Sequence, residues 1–157
     1  MQRLQYRAMP EVVGLDHIYI TVSDLARSEA FYDRLMRVLG FRKNGFVIAG
    51  DPHVQYFNRH FGYVLRPARS PREHDSYSAG LHHLCLRVVS IDDVREAALA
   101  LRAAGIDACV AEHHPEYAPD YWATFFTDPD GIRLEITNYR QERRERHDAW
   151  TGVAGSL

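Results

Sequence analysis

A chain of 157 residues with 46% apolar and 25% charged side chains has enough material for one globular domain, or for two half-size modules sharing a core. Its net charge of −2 gives no general attraction to nucleic acid, and the basic run 140–146 is interleaved with Glu142 and Glu145, as in a solvated tail. No apolar run approaches the roughly 20 residues of a membrane span, and no signal-like stretch follows Met1 to Arg7, so a cytoplasmic protein with no membrane partner is expected. In that reducing setting Cys85 and Cys109, both in predicted strands, read as small buried hydrophobes rather than as a bridge.

Residues 1–13 lack periodicity and are read as a terminal extension. In 15–22 the residues Ile18, Ile20 and Val22 alternate with His17, Tyr19 and Thr21, which predicts a strand with two distinct faces. Ser23 then caps a helix whose buried stripe is Phe31, Leu35 and Val38 and which stops at Gly40. Short β-branched and aromatic runs at 41–49, 54–58 and 61–66, broken by Gly50-Asp51-Pro52 and by Arg59-His60, predict three strands. The first module, 14–66, is therefore βαβββ.

Residues 67–79, with prolines, serines and charges, have the composition of a linker. After them Gly80-Leu81-His82-His83-Leu84-Cys85-Leu86-Arg87-Val88 echoes Gly14-Leu15-Asp16-His17-Ile18-Tyr19-Ile20-Thr21-Val22, 66 residues later, with a histidine at the fourth place of both. Leu84, Leu86 and Val88 take the core side of this strand; His82 goes with them, away from His83. Ser90 and Asp93 form a capping box for a helix with the stripe Val94, Ala98 and Leu101, ending at Gly105. Strands at 107–111, 121–127 and 132–137 complete a second βαβββ module, 80–138, the last two joined by the turn Asp128-Pro129-Asp130-Gly131. Residues 139–157 are a polar extension, and 151–157 read as disordered. The fold class is α+β, one domain over 14–138 made of two such modules.

Strand pleating puts His17, Tyr19 and Thr21 on one face, and His83, Cys85 and Arg87 on the equivalent face of the second module. On the last strand Ile132, Leu134 and Ile136 face the core, so Arg133, Glu135 and Thr137 share the histidines' side. Two imidazoles and a carboxylate, if those faces converge, suit one divalent metal ion, Fe(II), Mn(II), Zn(II) or Ni(II), with open positions for a substrate. Arg87 and Arg133 on this face either bind a substrate carboxylate or phosphate or pair with a neighbouring acid. His113, His114, Glu116, Tyr117 and Tyr121 lie in or beside a loop of the second module, where His113 and Tyr121 are candidates for acid, base or lid.

The sequence resembles the vicinal-oxygen-chelate superfamily, which includes glyoxalase I, methylmalonyl-CoA epimerase, fosfomycin-resistance thiol transferases, bleomycin-resistance proteins and extradiol dioxygenases. The resemblance rests on 15–25 with Phe31-Tyr32, on Gly80-Leu81-His82-His83 with Arg87-Val88, and on Phe126-Thr127-Asp128-Pro129-Asp130-Gly131-Ile132-Arg133-Leu134-Glu135. It implies a cupped mixed sheet around a central cavity, a metal held by His17, His83 and Glu135, a small-molecule substrate chelated through adjacent oxygens, and pairing of modules in a homodimer. Glyoxalase I has a further carboxylate, and the epimerase a glutamine, on the last strand of the first module; here that strand is Phe61-Gly62-Tyr63-Val64-Leu65-Arg66, with Tyr63 aligned to the position. The remaining two-histidine, one-carboxylate set resembles that of ring-cleavage dioxygenases and fosfomycin enzymes. Tyr19, Tyr63, Tyr121 and Trp122 supply aromatic surface for the dioxygenase reading, and Arg144 is an anion-binding candidate for thiol transfer. A metal-free protein that sequesters a drug or metabolite is the non-catalytic alternative.

Overall fold

The computed structural model describes residues 10–150, so the expectations for 1–9 and 151–157 lie outside the described residues. In chain order the elements are β1 (His17–Val22), α1 (Leu25–Val38), β2 (Arg42–Ile48), β3 (Asp51–Phe57), β4 (Gly62–Pro67), β5 (His83–Val88), α2 (Ile91–Ala103), β6 (Glu112–His113), β7 (Trp122–Thr127), β8 (Arg133–Asn138) and α3 (Gln141–Asp148). They form two mixed four-stranded sheets, ordered β1-β4-β3-β2 and β5-β8-β7-β6. The first strand of each module runs parallel to the last, and the remaining pairs are antiparallel. The architecture is the expected α+β arrangement of two βαβββ units.

Each helix is written into its module by the same two devices. In α1 the buried residues Ser28, Phe31, Tyr32, Leu35 and Met36 follow the i, i+3, i+4, i+7, i+8 spacing of one face. Its N-cap is Asp24, which accepts from the Arg27 amide at 3.0 Å, and not Ser23 as expected. Ser23 points across the chain instead and bonds to Asp130. In α2 the Ser90 and Asp93 capping box forms as expected, with Val94, Ala97, Ala98 and Leu101 buried.

Two strands and the C-terminal tail depart most from the sequence reading. Ala49 and Gly50, both at positive φ (50° and 86°), make a two-residue hairpin, so Asp51 and Pro52 belong to β3 instead of a separating loop. The strand expected at 107–111 is irregular, although the Cys109 amide still bonds to the Phe125 carbonyl at 3.0 Å, and regular pairing is confined to Glu112–His113. The tail holds α3, which buries no residue; Arg144 docks it through the Tyr139 and Val89 carbonyls and a stack over Tyr139.

One core serves both modules. Ile20, Val22, Tyr63 and Leu65 of the first sheet, Phe126, Leu134 and Ile136 of the second, and Phe31, Tyr32, Leu35, Ala97 and Leu101 of the helices belong to a single buried cluster. Polar ties fasten it: the Tyr32 hydroxyl bonds to both Tyr63 and Asp128, Arg27 pairs with Asp130 at 2.6 Å, and Arg34 donates to the Ala104 and Gly105 carbonyls. Both sheets turn their helix-covered faces to this core. Their opposite faces, which carry the histidines, therefore point away from it.

Candidate metal centre and its cup

β5 and β8 are parallel neighbours, with His83 opposite Arg133 and Cys85 opposite Glu135. That register sets the His83 Nε2 3.5 Å from the Glu135 Oε2. Glu135 is only 4% exposed, a costly position for a carboxylate that lacks partners, and its other oxygen accepts the Tyr121 hydroxyl at 2.5 Å. Burial first, and then this bond to Glu135, push the Tyr121 phenol well above its usual range, so it stays protonated and donates. On its other side His83 shares a 2.7 Å hydrogen bond, Nδ1 to Nδ1, with His82.

Above the pair opens a cavity of about 620 Å³ with Tyr117, Tyr121, Phe125, Asp107 and Arg133 among its walls. Arg133 reaches from the mouth to the Tyr77 hydroxyl at 3.3 Å. Both cysteines are exposed, not buried as expected. The protein around the Cys85 sulfur, and next to that the Glu135 charge, push its thiol up to about 12. That keeps it a neutral thiol rather than a thiolate at ordinary pH.

A divalent cation fits this pair on geometric grounds. Two metal bonds of about 2.1 Å meeting at roughly 90–110° hold their donors about 3.0–3.4 Å apart, close to the observed 3.5 Å and longer than an ideal hydrogen bond. An imidazole and a carboxylate are also the donor types that borderline divalent metals take. The third expected donor is elsewhere. Among the described residues no three His, Cys, Asp or Glu side chains come together as a cation site, and His17 is not among the residues that line the cavity with His83 and Glu135. The expected convergence of the two faces does not occur within one chain.

His17 belongs to a separate cluster on the first sheet. Its Nδ1 bonds to the Asp16 carboxylate at 2.7 Å, its ring meets Tyr19 edge-on at 5.4 Å, and Tyr19 meets His53 at 5.7 Å. His53, 4% exposed, is held by the Asp51 carbonyl and stacked on Phe46. It escaped the sequence reading, although the alternation of β3, with Val54 and Tyr56 in the core, sends His53 and Gln55 to the face of His17.

The other candidates divide. Tyr121 and Arg133 line the cup beside His83 and Glu135, and Tyr19 stands next to His17. Tyr63 does not: it pairs in register with Ile18, is 1% exposed in the core, and bonds to Tyr32. The module-one equivalent of Glu135, judged by its place opposite the third residue of the parallel first strand, is Val64 opposite Tyr19. The position of a fourth ligand is thus aliphatic. Arg87 stacks over Tyr139 at 4.1 Å, away from the cavity wall. His113 bonds to the Pro119 carbonyl and stacks on Trp122, shaping its own loop. His82, expected in the core, is exposed and bonded to His83, because the chain ahead of β5 is not pleated with it.

Two βαβββ units, each with its first strand beside its last and a concave face opposite its helix, define a paired-module cup protein. The sequence profile of the Glyoxalase/Bleomycin resistance protein/Dioxygenase superfamily matches residues 14–136, and the chain belongs to that superfamily. It is similar to YqjT of Bacillus subtilis (strain 168), 28% identical over 126 residues that cover 78% of this chain and 96% of the relative. It is also similar to YaeR of Escherichia coli (strain K12), 31% identical over 129 residues, covering 76% and 92%. Both relatives are described only as uncharacterized proteins. Among solved structures, a glyoxylase/bleomycin resistance protein/dioxygenase domain from Frankia sp. EAN1pec superposes with a TM-score of 0.68 at 23% identity, over 83% of this chain and 100% of that one. The fosfomycin resistance protein FosX from Listeria monocytogenes, solved with Mn(II) and sulfate, superposes at 0.58 and 18% identity, over 86% and 99%. At these identities the structures share the fold. No helix among the described residues is long and apolar enough to cross a membrane.

Proposed function

We propose that this chain is a cytoplasmic, divalent-metal-dependent enzyme, working as a homodimer on a small molecule that chelates through adjacent oxygens, with dioxygenase-like or lyase- and isomerase-like chemistry. The observation that carries this reading is the His83 and Glu135 pair, 3.5 Å apart at the foot of an aromatic-walled cavity, with the remaining atom of each already engaged. Fe(II), Mn(II), Zn(II) or Ni(II) would be held by His83 and Glu135 of one chain and His17 of a second copy. Such an ion supplies Lewis-acid or dioxygen-activating chemistry. The chain's own groups do the rest: Tyr121 fixes the Glu135 carboxylate, Tyr117 and Phe125 give the cup aromatic walls, and Arg133 offers its charge to an anionic substrate group.

A homodimer is supported by the exposed apolar residues Leu15, Tyr19 and Leu81, which flank the two histidine-bearing strand starts. The test is metal analysis after loading and desalting. The wild type is expected to retain about one ion per chain and His83→Ala to retain almost none, since removing one of three ligands dismantles a catalytic site. If the wild type retains no Fe(II), Mn(II), Zn(II) or Ni(II), the enzyme reading fails and the second reading takes its place, a metal-free small-molecule binder using the same cavity. Thiol transfer to an epoxide antibiotic has less support, because Arg144 is tied to the Val89 and Tyr139 carbonyls. Activity with thiol, epoxide and Mn(II) would restore it.

A further inference from the structure

We propose that Asp16 and His82, the residues immediately before the two histidines, are positioning residues that turn the Nε2 of each imidazole toward the cation. The proposal rests on the metal reading above and concerns what orients the ligands. A neutral imidazole carries its proton on either nitrogen, and only the bare nitrogen can bind a metal. Whatever engages Nδ1 as an acceptor fixes the proton there and frees Nε2. The Asp16 carboxylate can only accept from His17 Nδ1, at 2.7 Å. In the second module the Nδ1 atoms of His82 and His83 are also 2.7 Å apart, so one donates and the other accepts. With His83 donating, its Nε2 lone pair faces the Glu135 Oε2, an arrangement that a cation between them makes favourable.

The two bonds occupy the same place in the repeat with different residues, so the shared feature is a hydrogen-bond partner for Nδ1 at that position rather than a shared side chain. His82 has a support of its own: Tyr77 meets its ring edge-on at 5.3 Å, and Arg133 donates to the Tyr77 hydroxyl. Residue 77, in the stretch between the modules, is thereby connected to His83. The two partners also differ in charge, since Asp16 brings an anion to His17 and His82 brings none to His83.

The test is titration of the full-length protein with Zn(II), Ni(II) and Mn(II) by calorimetry under chelator competition, together with the visible absorption of the Co(II) form. Asp16→Ala and His82→Ala are each expected to weaken binding about tenfold without changing the stoichiometry, the lower end of the usual effect for an outer partner because both residues are solvent-facing. Asp16→Asn and His82→Asn keep an acceptor oxygen at similar reach and are expected to recover affinity to within about threefold. The Co(II) bands should broaden and weaken in the Ala variants and return in the Asn variants, which a general loss of folding would not produce. Affinities of both Ala variants within about twofold of the wild type, with His83→Ala abolishing binding, would overturn the proposal and leave the metal reading intact. A wild type that binds none of these ions would overturn both.

Discussion

Asp128, 5% exposed, joins the modules through one carboxylate: one oxygen accepts the Asp130 and Ile132 amides and the other accepts the Tyr32 hydroxyl. Burial raises its pKa, and the hydrogen bonds only partly offset this. The native state therefore holds this proton more tightly than the unfolded chain does. Its contribution to stability is fully present below the ordinary value of 3.8 and is lost as pH rises through the raised native value. Asp128→Asn keeps the acceptor oxygen without the charge, so its urea stability should vary less with pH than the wild type's in that window, measured pH by pH. Asp128→Ala takes the acceptor from the Asp130 and Ile132 amides and leaves Tyr32 only its bond to Tyr63, and should cost about 1–3 kcal/mol at neutral pH. Tyr63→Phe should cost about 1 kcal/mol and leave Zn(II) affinity unchanged, since its hydroxyl meets Tyr32 inside the core. A change in metal affinity would return Tyr63 to the site. Tyr63 was misread for a physical reason. His17, Tyr19 and Thr21 alternate with aliphatics and reveal their face, whereas Gly62 to Leu65 are buried on both faces, and such a run carries no alternation from which to read parity.

Elements were legible where a local rule acts alone. The capping box at Ser90, the stripe of α2 and the alternation of β1 and β5 belong to single segments and appear as read, while of the α1 stripe Phe31 and Leu35 are buried and Val38 only partly so. Where two neighbours compete, the tertiary structure decides. Ser23 and Asp24 are both good caps; Asp24 wins because Ser23 is recruited by Asp130, 107 residues away. The β2–β3 hairpin is a third case, as Gly50-Asp51-Pro52 looks like a loop, yet the turn takes only Ala49 and Gly50. Alanine at φ 50° is strained in a way that asparagine is not, and Asn-Gly is the favoured pair for this turn. Ala49→Asn is therefore expected to stabilise the protein by about 0.5–1 kcal/mol, read as a higher urea midpoint at unchanged slope. Gly50→Ala should destabilise by about 1 kcal/mol or more, since its φ is 86° and the added methyl meets strain rather than a neighbour.

At the scale of the molecule, the repeat picks out both histidines, but periodicity says only which side of its own sheet a residue faces. It cannot say which faces meet. The shared core settles this within a chain by drawing both helix-covered faces inward, so that His17 and the His83 and Glu135 pair look outward from different sheets. In the proposed homodimer a site needing all three would be completed between copies, and a two-fold axis would make two identical sites, each with His17 from one chain and the pair from the other. Mixing variants tests this directly. His17→Ala and His83→Ala dimers should each lose high-affinity Zn(II) binding, because every site carries one defect. When the two are unfolded together and refolded, half of the dimers are mixed, and each mixed dimer has one site with both defects and one with none. Zn(II) retained after desalting should therefore return to about a quarter of the wild-type level. If every site formed within one chain, each would keep its own defect and mixing would restore nothing.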